Sequence, residues 1–356
     1  MPDRHGGRIR RGPPRHTGRP GAEEHRPAVR ISAKRDRIPL GENAMHHADN
    51  VRAAVEASGD HSPRTLSWRR CVALHGLDPE TLDERPVVDE RALTAARERV
   101  RPVIDAAKPD LDRLFSAFSR AGCCLVLTDE TGLILDRRGD RADDRAFRDI
   151  SLVPGALWSE QSVGTNGIGT ALAENRPVGV YRAEHFHSAF AGLSCATAPI
   201  RDHRGRLAGA LDISSARREM NEVMLGVYLH AAREAAAQVE ARLFRAAYPG
   251  ARVVLAPGPG DRQALVAIDR DDIVIGANAA ARRSLSIDDA WLAAGRPASD
   301  IFDEEALVAG GGFEAAERRT VRAALAQANG SVSGAAKALG ISRATLHRKI
   351  KRLEVR

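Results

Sequence analysis

Hydrophobic positions change their period several times along the chain, and each change predicts a boundary between elements. Helical three-and-four spacing runs through residues 46–120 and again through 217–247. Short apolar runs separated by Asp- and Gly-containing turns predict hairpins over residues 123–136 and 195–213. A third hairpin is expected over 264–278, followed by a helix. Because the strands pair locally, the predicted fold class is α+β with antiparallel sheets.

The helix predicted over Arg217–Ala247 has two interpretations. Its apolar residues follow three-and-four spacing, with Arg and Glu between them. Such a helix either packs on its own sheet or forms a coiled stalk that pairs two copies of the chain. The pattern is compatible with both at once.

The last apolar pattern in the chain predicts a helix-turn-helix. Ala335 and Ala336 give one short helix a small apolar face, and Gly340 ends it because glycine adopts positive φ easily. Ser342 is a side-chain cap for the next helix, where Leu346 begins an apolar face of helical spacing. Two short helices joined by a tight glycine turn make this motif.

The outer face of the second helix is basic and offers hydrogen-bond donors to base edges and phosphates. A solvated basic helix is the alternative. We favour DNA binding because the small residues, the turn, the cap and the one-sided charge coincide. The polar residues of this face are Arg343, Thr345, His347, Arg348, Lys349, Lys351 and Arg352.

The segment Phe313–Arg356 resembles the Fis-type helix-turn-helix found at the end of bacterial enhancer-binding regulators. Ala335-Ala336, Leu339-Gly-Ile341 and Arg343-Ala-Thr-Leu346 carry the resemblance. It implies a double-stranded DNA operator arranged as an inverted repeat, a homodimer, and RNA polymerase as a further candidate partner. The DNA contacts that it implies are Ser342, Arg343, Thr345, His347 and Arg348. Lys349 and Lys351 are expected to meet phosphates at the groove walls.

Charge is concentrated at the two ends of the chain. The whole chain carries +7, residues 313–356 carry +7 and residues 1–44 carry +6, so residues 45–312 carry −6. This distribution is typical of a nucleic-acid-binding end on a mildly acidic body. Four cysteines form no disulfide framework, and no apolar run approaches membrane-spanning length. We therefore expect a cytoplasmic protein.

Residues 1–44 are rich in Arg, Pro and Gly and contain few large apolar residues, so we expect them to be disordered. They are either a nucleic-acid-binding arm or an untranslated segment. Gly41-Glu42 fits a purine-rich ribosome-binding sequence just before Met45. We favour Met45 as the start.

The region from about 120 to 215 resembles the GAF sensor domain of acetoin-catabolism-type regulators. The helical segment before it, with Ser67-Trp68, is similar to the usual lead-in of the same family. Beyond the sensor, Ala264–Asn278 and its following helix resemble the opening of a PAS domain, too short to be complete. The GAF resemblance rests on Trp158-Ser-Glu160, Gly164-Thr-Asn166, Glu184-His-Phe186, Cys195, Ala198-Pro-Ile200 and Gly209-Ala-Leu-Asp-Ile-Ser214.

The predicted organisation has six parts. They are a disordered basic segment (1–44), a helical segment (45–119), a GAF sensor domain (120–215), a linker or dimerisation helix (216–248), a degenerate PAS-like segment (250–305) and an all-α helix-turn-helix (313–356).

A small-molecule pocket is expected in the sensor domain, because a few polar residues occur there among apolar ones, as in most ligand pockets. The alternative is that the two aromatic residues are core and the asparagine caps a turn. The predicted effector-binding set is Trp158, Thr165, Asn166, His185, Phe186 and Cys195.

The sequence supports an enzymatic function less well than DNA binding. The regulators that the chain resembles carry an ATPase domain between sensor and helix-turn-helix, but the sequence has no Gly-x-x-x-x-Gly-Lys-Ser/Thr string to hold phosphates. We therefore expect no ATPase activity, and no remodelling of a sigma-54 polymerase. A methionine sulfoxide reductase-like thiol enzyme using Cys195 is the alternative function. His185, His187 and His203 lack a second ligand pair with zinc spacing, so no metal is expected.

Overall fold

The computed structural model describes residues 42–57, 59–82, 87–140, 144–256, 263–302, 313–328, 330–353 and 355. The predicted disorder of residues 1–44 lies almost wholly outside these ranges, and the choice of Met45 as the start stays a prediction. In the described chain the fold class is the predicted one, α+β with antiparallel sheets and a helical C-terminal end.

Helices dominate both ends of the described chain, and strands its middle. The helices are α1 Glu42–Glu56, α2 Pro63–Ala73, α3 Glu90–Arg99, α4 Arg101–Phe118, α5 Asp144–Asp149, α6 Glu160–Val163, α7 Gly167–Glu174, α8 Glu222–Ala247, α9 Ala279–Ser284, α10 Asp289–Ala293, α11 Phe313–Gln327, α12 Val332–Ala338 and α13 Arg343–Arg352. The strands are β1 Cys123–Thr128, β2 Ile134–Gly139, β3 Val178–Tyr181, β4 Ser194–Arg201, β5 Leu207–Ser215, β6 Arg252–Ala256, β7 Ala264–Ile268 and β8 Val274–Ala277.

The first sheet has five strands in the order β2-β1-β5-β4-β3, and every neighbouring pair is antiparallel. Leu211 of the central strand β5 lies opposite Leu127 of β1 and Ala198 of β4. Because side chains alternate along a strand, the sheet buries two faces. Leu125 joins the core under α4 and α8, and Val126 joins the core that contains Trp158.

The three predicted hairpins turn by the same device. Asp129, Asp202 and Asp269 each accept hydrogen bonds from the backbone N–H groups two and four residues later, at 2.8–3.1 Å. An aspartate that bonds its own following backbone fixes a tight turn. Gly132 and Gly205 then take the positive φ that the first two turns require. The turn chemistry was therefore readable from the sequence.

Helix α8 starts five residues later than predicted. The apolar spacing placed its start at Arg217, but Asn221 caps the helix by accepting from Met224 N at 3.0 Å. One face packs on α4 and the sheet through Tyr228, Ala235 and neighbouring residues. This burial supports the packing interpretation for that face.

The second sheet has three antiparallel strands in the order β6-β7-β8, and β6 was not predicted. Its Arg-Val-Val-Leu-Ala run is too short for apolar spacing to separate a strand from the end of a helix. One face of β7 packs on α9 and Phe302 through Val266. Leu265, on the other face, packs against Phe244 of α8. The long helix therefore joins the two sheets.

Gly167 lies where the core has no room for a side chain. A Cβ there would stand 2.5 Å from Thr197 Oγ1 and 2.6 Å from Cys195 Cβ. We expect Gly167→Ala to lower the free energy of unfolding by about 1–3 kcal/mol through overpacking, as measured by urea denaturation. Gly226, exposed within α8 with nothing within 4 Å of its Cβ position, is the matched control. Gly226→Ala should stabilise by about 0.5–1 kcal/mol, and equal effects at both sites would contradict this packing.

Candidate DNA-binding surface and sensor cavity

The C-terminal helices form a small three-helix core around the predicted motif. Leu346 is fully buried between α11 and α12. Gly340 has φ of +64°, as expected for the residue that ends a helix. Ser342 accepts a hydrogen bond from Thr345 N at 3.1 Å and caps α13. The sequence-predicted turn, cap and inner face of this motif are all present.

The predicted contact residues lie on the outer side of α13 and in its cap. Ser342, Arg343, His347, Arg348 and Lys351 are exposed. Thr345 is half-buried, and its hydroxyl lies 2.9 Å from the Ser342 hydroxyl. Arg343 and Lys351 make no side-chain hydrogen bond or ion pair with any residue that the structure describes, so both are available to an anionic partner.

Lys349 differs from the other predicted contacts. Its ammonium pairs with Glu317 of α11, as does the guanidinium of Arg352. These cations, Lys349 first, hold the pKa of Glu317 below its ordinary value. The predicted phosphate contact at Lys349 therefore competes with an intramolecular ion pair, which apolar spacing along one helix could not show.

Helix α11 also touches the second sheet. Arg322 Nη2 lies 2.9 Å from Asp271 Oδ1, in the turn between β7 and β8, and both side chains are largely buried. Arg318 donates to Leu353 O at 3.0 Å and to Arg270 O at 3.4 Å. Two arginines of α11 thus connect the β7–β8 turn of the second sheet to the C-terminal end of α13.

At the other end of the chain, a buried carboxylate joins α2 to the sensor sheet. Glu160 accepts from Arg70 Nε at 2.8 Å and Nη2 at 3.0 Å. It also accepts from Ser67 Oγ at 2.7 Å and from Thr170 Oγ1 at 3.0 Å. Thr165 Oγ1 lies 2.7 Å from Ser67 Oγ. A buried carboxylate is tolerated only with such compensation.

A cavity of about 440 Å³ opens beside this cluster, between the first turns of α2 and the edge strand β3. Hydroxyls, two Arg–Glu pairs and two valines surround it. Its lining residues are Ser62, Pro63, Arg64, Ser67, Thr165, Thr170, Glu174, Arg176, Val178, Gly179, Val180 and Glu184.

The six predicted effector residues do not line one cavity. Thr165 lies in the wall of the cavity, whereas Trp158 is core, packed against Phe190 with its Nε1 donating to Ser151 O at 3.1 Å. Asn166 caps α7 by accepting from Gly169 N at 2.8 Å.

The other three predicted residues lie away from the cavity wall as well. Phe186 packs with Trp68 and Cys71, so it belongs to the interface between α2 and the sensor domain. His185 and Cys195 are buried in a separate polar cluster. The six residues lie in five different settings, a distribution that depends on the tertiary fold, and Ser67 of the Ser67-Trp68 pair lines the cavity.

The buried polar cluster joins strands β4 and β5. His185 Nδ1 donates to Arg182 O at 2.9 Å, which leaves Nε2 to accept from Cys195 Sγ at 3.3 Å. Ser214 Oγ lies 3.1 Å from Cys195 Sγ and donates to Asp212 Oδ2 at 2.6 Å. Thr197 Oγ1 donates to Asp212 Oδ1 at 2.5 Å. This chain of contacts is shielded from solvent.

The cluster does not activate the Cys195 thiol. Burial, and after it the charge of Asp212, raise the pKa of this thiol far above its ordinary value. A nucleophilic cysteine requires the opposite, so the thiol-enzyme alternative has no support here. Within the described ranges, no three His, Cys, Asp or Glu side chains come together closely enough to hold a metal ion.

An antiparallel α+β domain followed by a capped helix-turn-helix with a basic outer face is typical of DNA-binding regulators. The chain belongs to the family described as "MimR, N-terminal domain", whose model matches residues 51–241. Residues 312–353 match the model described as "Bacterial regulatory protein, Fis family". No helix in the described part of the chain is both long and apolar enough to cross a bilayer.

Curated relatives share about half of this chain. The acetoin catabolism regulatory protein of Cupriavidus necator is 35% identical over 174 residues, which are 49% of this chain and 26% of that protein. The propane 2-monooxygenase operon transcriptional activator MimR of Mycolicibacterium smegmatis is 34% identical over 179 residues, 50% of this chain and 29% of that protein. The matched part thus spans between a quarter and a third of these relatives.

Among solved structures, the Escherichia coli DhaR(N)–DhaL complex contains a similar chain. The match covers 67% of the present chain and 81% of the other, with 19% identity and a TM-score of 0.47.

The buried cluster should give the protein opposing pH dependences. Burial raises the pKa of Asp212 to about 6, so its contribution to stability falls as pH rises from about 4 to about 6. Burial lowers the pKa of His185 to about 4, so its contribution falls as pH drops through the same window.

Asp212→Asn should remove only the contribution to stability that falls as pH rises. The difference in free energy of unfolding between wild type and variant is expected to shrink by about 2 kcal/mol between pH 4.5 and 7.5, in urea titrations. For His185→Gln the difference should instead grow over this range. Parallel pH profiles of the wild type and Asp212→Asn would contradict this interpretation.

The Glu317 ion pairs should limit the affinity of the helix-turn-helix for DNA of any sequence. In Glu317→Gln, Lys349 and Arg352 are released toward phosphates. We expect tighter binding to random-sequence DNA and a salt slope steeper by about 1 to 2, measured by fluorescence anisotropy. The exposed Glu219, whose substitution by Gln changes charge equally, is the control. Identical salt slopes for both variants would rule out a role for this pair.

Proposed function

We propose that this chain is a DNA-binding transcriptional regulator that responds to a small-molecule effector. The observation that carries the proposal is the capped helix α13, whose inner face is buried in its own three-helix core while Arg343, His347 and Lys351 stay exposed. Such a helix presents base-reading and phosphate-binding side chains on one side. The Fis-family match and the regulatory relatives support the same function.

The sensor half would bind the effector. Its relatives are named for the regulation of acetoin catabolism and of a propane 2-monooxygenase operon, both concerned with small organic molecules. An effector of that general kind is therefore proposed for this chain. A catalytic role is not proposed, and the regulator would act through DNA binding without an ATP-driven step, since the sequence contains no phosphate-cradling Gly-x-x-x-x-Gly-Lys-Ser/Thr loop.

A homodimer is proposed as the DNA-binding form. Val223 and Val227 lie one turn apart on α8 and are 78% and 55% exposed, although the rest of the helix buries its apolar face. An exposed apolar pair of this kind fits a contact with a second copy of the helix. Two recognition helices related by a two-fold axis would read an inverted repeat with half-sites about 34 Å apart or a multiple of that distance. Contact with RNA polymerase and a cytoplasmic location belong to the same proposal.

Two substitutions in α13 separate base reading from phosphate binding. Arg343 lies in the first turn and can grip guanine O6 and N7, so Arg343→Ala should cost about 1–3 kcal/mol on the specific operator and little on random DNA. Lys351→Ala should weaken binding to both and reduce the salt slope by about 1 per protomer. The operator would be selected from a random library with the full chain, and binding measured by gel shift at several salt concentrations.

The footprint on the selected operator supplies the second check. Protection of two inverted half-sites is expected. A single asymmetric half-site, or wild-type operator affinity in Arg343→Ala, would overturn the assignment of this helix face.

A further inference from the structure

The turn between β7 and β8 lies beside the DNA-binding end of the chain and has the sequence Asp269-Arg-Asp-Asp272. Arg318 of α11 donates from Nη1 to the carbonyl oxygen of Arg270 at 3.4 Å. The same side chain donates from Nε to the carbonyl oxygen of Leu353 at 3.0 Å. Because Leu353 directly follows α13, one guanidinium joins the turn to the end of this helix.

The three aspartates of the turn are engaged within the protein, and all three are half-buried. Asp269 accepts hydrogen bonds from the backbone of its own turn. Asp271 Oδ1 lies 2.9 Å from Arg322 Nη2 of α11. Asp272 Oδ1 accepts from Arg252 Nη2 at 2.8 Å. The negative charges of the turn are therefore directed toward partners in the same chain.

Arg270 differs from the other charged residues of the turn because its side chain is exposed. Its guanidinium makes no hydrogen bond or ion pair with another side chain in the part of the chain that the structure describes. Arg252, Arg282 and Arg296, which belong to the same region, each pair with an aspartate. The turn therefore presents a positive charge to solvent, while its negative charges are already paired.

The end of α13 that carries this turn is the end expected at the wall of a DNA groove. The ten residues of α13 rise about 15 Å, whereas the major groove of B-DNA is about 12 Å wide. With Arg343 of the first turn at the base edges, the end at Leu353 reaches the sugar–phosphate backbone, which recognition helices contact with their C-terminal ends. Arg270 is thus close to where phosphates would lie.

We propose that Arg270 binds a phosphate of the operator just outside the bases read by α13, so that the second sheet is part of the DNA-binding surface. This inference rests on the proposed function, which makes α13 the recognition helix. The ion pair of Arg322 with Asp271, whose side chains are 13% and 20% exposed, holds the turn on α11 and presents Arg270 in a fixed place. A phosphate contact adds affinity for DNA and no preference for sequence.

Four variants of the full chain test this contact. Arg270→Ala removes the guanidinium, and Arg270→Lys keeps the charge. Arg283→Ala is the matched control, because Arg283 is also exposed but lies in α9, which follows the other end of β8. Lys351→Ala removes the phosphate contact proposed for α13 itself and reports on the proposed function.

Salt dependence of binding to the operator and to random-sequence DNA is the first measurement, by fluorescence anisotropy. Arg270→Ala should reduce the salt slope by about 1 per protomer on both duplexes, because one counterion fewer is released. Arg270→Lys and Arg283→Ala should keep the wild-type slope. Urea denaturation of Arg270→Ala should match that of the wild type, since the exposed side chain supports no described contact, and this separates lost binding from lost folding.

Neutral methylphosphonates, placed one at a time along the operator, locate the contacted phosphate. One position outside the bases protected by α13 should weaken binding of the wild type and leave binding of Arg270→Ala unchanged. A wild-type salt slope in Arg270→Ala, or the same methylphosphonate profile in both proteins, would overturn this inference, while a reduced slope in Lys351→Ala would still support the proposed function. Absence of DNA binding by the wild type would overturn both.

Discussion

One buried carboxylate, Glu160, fixes helix α2 in place against the sensor half of this protein. Glu160 is 4% exposed and accepts hydrogen bonds from Nε and Nη2 of Arg70 and from two hydroxyls. Without the arginine, the buried charge would be uncompensated, a loss that typically costs about 3–5 kcal/mol. The position of α2 on the sheet therefore depends on this pair, and so does the cleft that α2 forms with β3. A helical lead-in that has no pocket of its own thus completes the sensor cavity.

The DNA-binding end also contains a carboxylate paired with basic side chains, but there the pairing has a different consequence. Glu317 is shared by two cations of the recognition helix, but both cations stay partly exposed, so solvent screens the interaction. Such a pair contributes little to folding. Its effect would be on the charge that the helix presents, because Lys349 and Arg352 are partly neutralised by Glu317 while Arg343 is not. Partial neutralisation of this kind would reduce non-specific attraction to phosphates more than it reduces the proposed base reading by Arg343.

Local chemistry made much of the fold predictable. Asp129 and Asp202 fix their turns through their own following backbone, and Ser342 caps α13 by accepting from the backbone N–H three residues later, so the sequence alone was sufficient there. The effector site was less predictable. Trp158 and Asn166 have a composition that suits a pocket, but their side chains serve the core and a helix cap. Sequence spacing carries no information on which side of the sheet α2 would lie, and that decides where the cleft opens.

The cleft and the recognition helix are joined by a continuous set of contacts centred on α8. Arg201 donates to Asn175 O at 2.6 Å, next to the cleft residues Glu174 and Arg176, and pairs with Glu240 of α8.

Glu240 lies in the last third of the 26-residue helix α8, about one turn before Phe244. Phe244 packs under the second sheet, whose β7–β8 turn holds Arg322 of α11 through Asp271. Contacts alone do not make two sites interdependent, because a ligand shifts an equilibrium only by its difference in affinity for the two states. A ligand bound between α2 and β3 would have such a difference if it gained contacts as these two elements moved closer together. By linkage, operator DNA would then favour or oppose that closure by the same free energy.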